Sequence, residues 1–319
     1  KSNEEAYICR SDQDMILGFL YLKTEDIDAD YHDIDPIFEP KRRLKIGTFK
    51  IDSTGFRLGE RFVKIIFDNA IERKVDEIYV TLFEDRQELR ALEALLRRWG
   101  FRKHGIKRSN GKEEQVLVKK MNYYNCSWTI KENYPNINYH VNKRILPIYP
   151  QYHTTLLPDS QLRTENEIDF IGNIPHRYAL QKVYVTWGMK SDVRVGDILL
   201  FYRIGETIPK KYSSVISTVG VIDGIVDDFK SKENFMSYCE NRSVFSKEEL
   251  EEFWNKHRYN LCVVKFIYIK SLTSKLTLGY LWDENIVQPP NGPRSFMKLQ
   301  DEQFEKIIKD SNTNLYRGR

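Results

Sequence analysis

Three carboxylates, Asp52, Glu84 and Asp85, stand at the ends of two strand-like runs, where a base can take a proton from an amine. The plainer reading of each is a turn or cap carboxylate. The first of them adjoins a stretch suited to phosphate. Leu44-Lys-Ile-Gly-Thr-Phe-Lys-Ile51 reads as a strand, Ser53-Thr-Gly-Phe-Arg-Leu-Gly59 as a glycine-bearing turn, and Glu60 to Ala70 as an amphipathic helix. A strand that enters a helix through such a turn aims backbone N–H groups and the positive helix end at one point. That point suits the pyrophosphate of a cofactor.

Further elements must hold this stretch in place. Glu77-Ile-Tyr-Val-Thr-Leu-Phe83 reads as a second strand. Gln87 to Trp99 reads as a helix, with Leu89, Leu92, Leu95, Leu96 and Trp99 recurring at helical spacing. Gly100 follows where a left-handed cap wants a glycine. Upstream, Ala6–Arg10 and Met15–Leu22 form a hairpin pattern across Ser11-Asp-Gln-Asp14, and downstream Glu114–Met121 is another strand.

In this order, residues 4–121 resemble the GNAT acetyltransferase family. The family's phosphate loop, Gln/Arg-x-x-Gly-x-Gly/Ala, falls on Thr54-Gly-Phe-Arg-Leu-Gly59. Gly59 keeps the final small position, Thr54 replaces Gln/Arg, Arg57 replaces the first glycine, and Gly55 is a further glycine. Arg97-Arg-Trp-Gly-Phe101 is similar to the family's closing Tyr-x-x-x-Gly-Phe. The resemblance implies a mixed sheet with flanking helices and acetyl-CoA as cofactor. It places Phe49, Ile51, Gly55, Phe56, Arg57, Leu58, Gly59, Glu60 and Arg61 at the cofactor, with Asp52 and Glu84 as catalytic carboxylates. The family's proton-donating Tyr falls on Leu96, and a cofactor-contacting Asn falls on Leu89. Leucine delivers no proton, so the chemistry would lean on positioning and carbonyl polarisation. The family's N-terminal strand and two helices have no counterpart, which reads as a fragment. The resemblance also suggests an upstream PIN-like nuclease domain as a partner.

At 319 residues, with 41% hydrophobic content, two domains are the natural count. A net charge of +4 permits nucleic-acid binding without arguing strongly for it. Cys9, Cys126, Cys239 and Cys262 are not spaced as a metal knuckle or redox pair, and read as reduced thiols of a cytoplasmic protein. The six histidines form no ligand-spaced set, so no metal is expected. No apolar run approaches membrane-spanning length, and no signal-peptide pattern is present. Oligomeric state is not legible.

Two charge runs stand out. Asp26, Asp28 and Asp30 open like a calcium loop, but Tyr31 takes the glycine position and Ile37 the final glutamate, so that reading fails. With Asp33 and Asp35 they make a solvated loop, or one that attracts a cationic acceptor or a divalent ion. The basic run Arg97, Arg98, Arg102, Lys103, His104, Lys107, Arg108 reads as a solvated rim or a phosphate-tracking strip, with Glu113 and Glu114 nearby.

Composition shifts near residue 122, where turn-rich, aromatic segments make a connector to about 146. Strands follow at Gln181–Trp187, Gly196–Arg203, Ser213–Val226 and Asn260–Ile269, with Gly220 and Gly224 marking bulges or corners. Ser246 and Glu249 make a capping box for a helix to His257, and Gln300–Lys309 is a final helix. Gly196-Asp-Ile-Leu-Leu-Phe-Tyr-Arg and Ser217-Thr-Val-Gly-Val-Ile-Asp resemble PUA-like folds of the ASCH and EVE type, over residues 147–309. That resemblance implies RNA, such as tRNA, or a modified nucleobase as partner. Trp187, Tyr202, Trp254 and Trp282 are candidates to stack on bases. Lys182, Arg203 and Arg294 are candidates to meet phosphate, and Ser295 to give a hydrogen bond. Core filling is the plainer role of each aromatic.

The expected fold is α/β plus α+β: a GNAT-like domain at 1–121, a connector at 122–146, and a PUA-like small β-barrel with helical insertions at 147–319. The expected function is acetyl-CoA-dependent N-acetyltransfer beside RNA or modified-base binding. The alternatives are a catalytically degenerate GNAT-like scaffold or sensor serving an upstream effector, and a protein N-acetyltransferase.

Overall fold

The computed structural model describes residues 4–11, 13–51, 58–83, 89–109, 111–162, 178–189, 192–240 and 242–318. Contacts divide the chain into two compact units, residues 1–137 with 318–319, and residues 138–317.

The first unit is built on strands β1 (Glu4–Arg10), β2 (Ile16–Glu25), β3 (Ile34–Asp35), β4 (Arg43–Ile51), β5 (Glu77–Leu82), β6 (Arg102–Ser109) and β7 (Lys112–Lys120). They lie in the order β1-β2-β4-β5-β7-β6-β3. β4 and β5 run parallel, which requires a crossover; α1 (Leu58–Glu72) supplies it. α1 buries Phe62, Val63, Ile66 and Phe67 against the sheet, the apolar stripe its spacing predicts. α2 (Leu89–Arg98) joins β5 to β6 and ends at Gly100, whose φ is +84°. A Cβ at Gly100 would fall 2.1 Å from the Glu132 carbonyl oxygen, so only glycine fits this cap. α3 (Ile130–Asn133) follows, with Thr129 and Glu132 in a capping box.

Two elements here differ from the sequence reading. The basic run is mostly a strand, β6, in a hairpin with β7. The acidic loop contributes β3, which pairs with β6 through Ile34↔Lys107 and Asp35↔Ile106. This register brings Asp33 to Lys107 at 3.2 Å and Asp35 to Arg108 at 3.3 Å. The two charge runs therefore partly neutralise each other.

β8 (Ile137–Asn138) straddles the division. The second unit carries β9 (Lys143–Ile148), β10 (Gln181–Trp187), β11 (Ile198–Arg203), β12 (Val215–Val226), β13 (Leu261–Thr277) and β14 (Met297–Leu299), in the order β10-β13-β12-β11-β9-β14. Its helices are α4 (Pro150–Leu156), α5 (Lys210–Ser213), α6 (Lys232–Cys239), α7 (Lys247–His257), α8 (Leu278–Asp283) and α9 (Asp301–Asp310). The 122–146 segment is thus more than a connector: it includes α3, β8 and the start of β9, an interior strand parallel to β11. Among the described residues β10 and β14 share no ladder. Register shifts in β12 fall between Val219 and Gly220 and between Ile222 and Gly224, so both glycines do mark bulges.

α6 and α7 pack Phe235, Cys239 and Leu250 onto Val183, Val185, Leu261 and Val263. Ser246 caps α7 with both capping-box bonds formed. Ser246→Ala is expected to destabilise this unit by about 1 kcal/mol; a denaturant midpoint unchanged from wild type would count against the cap's contribution.

Candidate functional site

The parallel pair β4–β5 is the feature that opens the first sheet. Its ladder runs only Arg43↔Glu77, Leu44↔Ile78, Lys45↔Tyr79 and Ile46↔Val80, although β4 continues to Ile51 and β5 to Leu82. The register of β4 against β2 shifts at the same place: Tyr21 faces Thr48 while Leu22 faces Ile46. Gly47 is the extra residue. A bulge bends its strand and raises the local twist, which turns β4 away from β5. The glycine has a local reason too, because a Cβ there would lie 2.5 Å from Cδ1 of Tyr21. Sequence reasoning missed both Gly47 and Tyr21, although a glycine inside a strand pattern is the recognised sign of a bulge.

Past the bulge the strand alternation is reset. Phe49 packs on Phe62 of α1, their ring centroids 5.5 Å apart, and Ile51 lies beside Gly59. Of the expected cofactor residues, Leu58 is buried and Gly59, Glu60 and Arg61 occupy the first turns of α1. A Cβ at Gly59 would come within 2.9 Å of Leu95 in α2, so this glycine also serves helix packing. Asp52, Gly55, Phe56, Arg57, Glu84 and Asp85 lie outside the described residues, as does Thr54. Leu96 is fully buried, which removes that position from any role at the opening.

The opposite face of the sheet is closed by an aromatic group. Tyr31, Phe38 and Tyr79 meet edge to face, and the Arg43 guanidinium lies 4.0 Å from the Phe38 centroid. Tyr79 donates to Glu25 at 2.6 Å, and burial beside that carboxylate pushes its phenol far up. Burial, with the Glu25 charge, pushes Tyr31 up to about 12. Both phenols stay neutral and structural.

In the second unit the expected nucleic-acid residues fall into separate places. Trp187 is 45% exposed and lies flat on His257, with ring centroids 4.3 Å apart and Phe253 beside it. Trp254 stacks on Phe235 in the helical core. Tyr202 is buried near Gly292, and Trp282 donates its indole N–H to the Asn291 carbonyl at 2.8 Å. Arg294 and Ser295 are exposed on that same loop, so Tyr202, Trp282, Arg294 and Ser295 form one neighbourhood. Arg203 is buried and pairs with Glu206, and Lys182 is buried in β10.

Further buried polar groups explain the interior of this unit. Asp197 of the Gly-Asp turn holds Arg144 at 2.7 Å, and Asp192 adds a second carboxylate at 3.1 Å. His153 Nε2 lies 2.8 Å from Ser217 Oγ, resembling a nucleophile and its base. Both are buried, and burial drives the imidazole down to about 3, so the pair is a structural hydrogen bond without substrate access. Burial likewise pushes the Cys239 and Cys262 thiols up to about 12, which leaves them unreactive. Among the described residues no group of side chains has metal-ligand arrangement, and no helix is long and apolar enough to cross a membrane.

No protein-family model matches the sequence, and no curated protein does. Solved structures similar to it fall into two groups that cover different parts of the chain. ASCH from Zymomonas mobilis is 11% identical, with 52% of this chain and 94% of that one covered, at a TM-score of 0.36. A GNAT-family acetyltransferase from Listeria monocytogenes is 16% identical, over 36% of this chain and 64% of that one, at 0.28. The NatC complex bound to Gag peptide and CoA is 17% identical, over 36% and 70%, at 0.28. At these identities and TM-scores the comparisons say only what each part of the chain is similar to.

Proposed function

We propose that the first unit binds acetyl-CoA in the opening between β4 and β5 and acts as an N-acetyltransferase. The observation that carries this is the coincidence of the Gly47 bulge with the end of the β4–β5 ladder. Strand edges that part in this way suit an extended ligand bearing amides, because such a ligand can continue the backbone ladder. α1 is the next described element after β4, and its start suits the ligand's pyrophosphate. Phe49, Ile51, Leu58 and Gly59 would hold the cofactor. Bound there, it would supply an activated acyl thioester. The chain's own part would be to orient an amine and exclude water, since Leu96 donates no proton. The acidic loop is not proposed to draw a cationic acceptor, because Asp33 and Asp35 are engaged by Lys107 and Arg108.

The second unit is proposed to bind RNA or a modified base, and the half-exposed Trp187–His257 stack favours this. Calorimetric titration with acetyl-CoA and with CoA tests the enzymatic reading. Micromolar binding is expected. A folded chain that binds neither would leave the first unit as a scaffold, with the second unit as the functional part.

A further inference from the structure

The first unit has a second concavity at the other end of its sheet, where β4, β5 and β6 begin and β7 ends. Its volume is about 580 Å³, the size range of a small-molecule site. β4 runs from this end to the Gly47 bulge, so about 13 Å of strand separates it from the start of the opening. It is therefore not part of the acetyl-CoA opening.

Its wall is cationic and aromatic. Lys41, Arg43, Arg102, Lys103 and Lys120 line it against two carboxylates, Glu39 and Glu77. Glu77 is buried and holds Lys41 and Arg43, each at 2.9 Å, so these cations are fixed in position. Arg102 is tied to Glu132 at 2.5 Å. Lys103 and Lys120 are exposed at the rim. The aromatic part is Tyr123, 42% exposed, set 5.3 Å from Trp128, whose ring is backed by Arg102 at 4.4 Å. An anion alone would need only the lysines. Lys120 lies 6.0 Å from the Tyr123 centroid, so a cation and an exposed aromatic ring stand together at the rim, which suits a ligand that joins an aromatic ring to a negative group.

We propose that this pocket binds a phosphorylated nucleoside, its base against Tyr123 and Trp128 and its phosphate toward Lys120. Titration with AMP, adenosine and inorganic phosphate tests this on the whole chain. AMP is expected to bind at least tenfold more tightly than either half, and Lys120→Glu to weaken AMP at least tenfold while leaving acetyl-CoA affinity unchanged. Trp128→Ala is expected to abolish the advantage of AMP over phosphate. Tighter binding of a 5′-phosphorylated adenosine dinucleotide than of AMP would assign the ligand to an RNA end, and the reverse to a free nucleotide. Phosphate binding as tightly as AMP, no binding by any probe, or a folded Lys120→Glu variant with wild-type AMP affinity would overturn the proposal.

Discussion

Gly47→Val is expected to weaken acetyl-CoA binding at least tenfold, about 1.4 kcal/mol, in a chain that still folds. A Cβ at this position meets Cδ1 of Tyr21 at 2.5 Å and Cε1 at 2.9 Å. The tyrosine ring must swing away or the strand must shift, and either change reshapes the place where β4 leaves β5. The site is solvent-facing and valine suits a strand, so the stability loss should stay near 1–2 kcal/mol. Gly59 is a poorer probe, because a side chain there presses on Leu95 and disturbs helix packing directly. Adding Tyr21→Ala to Gly47→Val restores room and should recover part of the affinity. Calorimetry on both variants, with thermal melts as the folding control, reads the result. Wild-type affinity in a folded Gly47→Val chain would rule out the bulge as the cofactor's place.

The elements whose signals are local were legible from residue order. The β1–β2 hairpin, α1, β5, α2, the Gly100 cap and the Ser246 capping box all appear where spacing places them. β6 was not legible, because its strand face is written in Arg, Lys and His, the residues of a solvated run. Its partner β3 is only two residues long. That Lys107 and Arg108 meet Asp33 and Asp35 depends on a ladder between segments some 70 residues apart, which charge patterning along the chain cannot reveal. The β4–β5 opening has the same character. Gly47 was its one local sign, but its meaning depends on the β2 and β5 registers together. In the second unit, aromatic content was legible and its distribution was not. Trp187 and Trp254 go with α6 and α7, while Tyr202 and Trp282 go with the 291–295 loop.

The stability of the first unit should also carry the mark of one buried lysine. Lys119 in β7 is 1% exposed and donates to the Glu132 carbonyl at 2.6 Å. Burial, aided by the nearby Arg102 charge, pushes its ammonium down to about 7. Unfolded, a lysine titrates near 10.4. Between these values the folded chain binds fewer protons than the unfolded chain, so stability rises with pH across that window. Below about pH 7 the lysine is charged in both states and the full penalty stands. From pH 7 to pH 9 this residue alone should add about 2 kcal/mol. Lys119→Met removes the titration and with it that rise. It also strips the Glu132 carbonyl of a donor, a loss of about 1–3 kcal/mol at every pH. The variant should therefore fall furthest below wild type at pH 9 and close most of the gap at pH 6. Denaturant unfolding of both proteins at the three pH values measures the difference. Parallel pH profiles for wild type and Lys119→Met would show that the lysine remains charged when folded, with Glu132 and its surroundings solvating it well enough to cancel its burial.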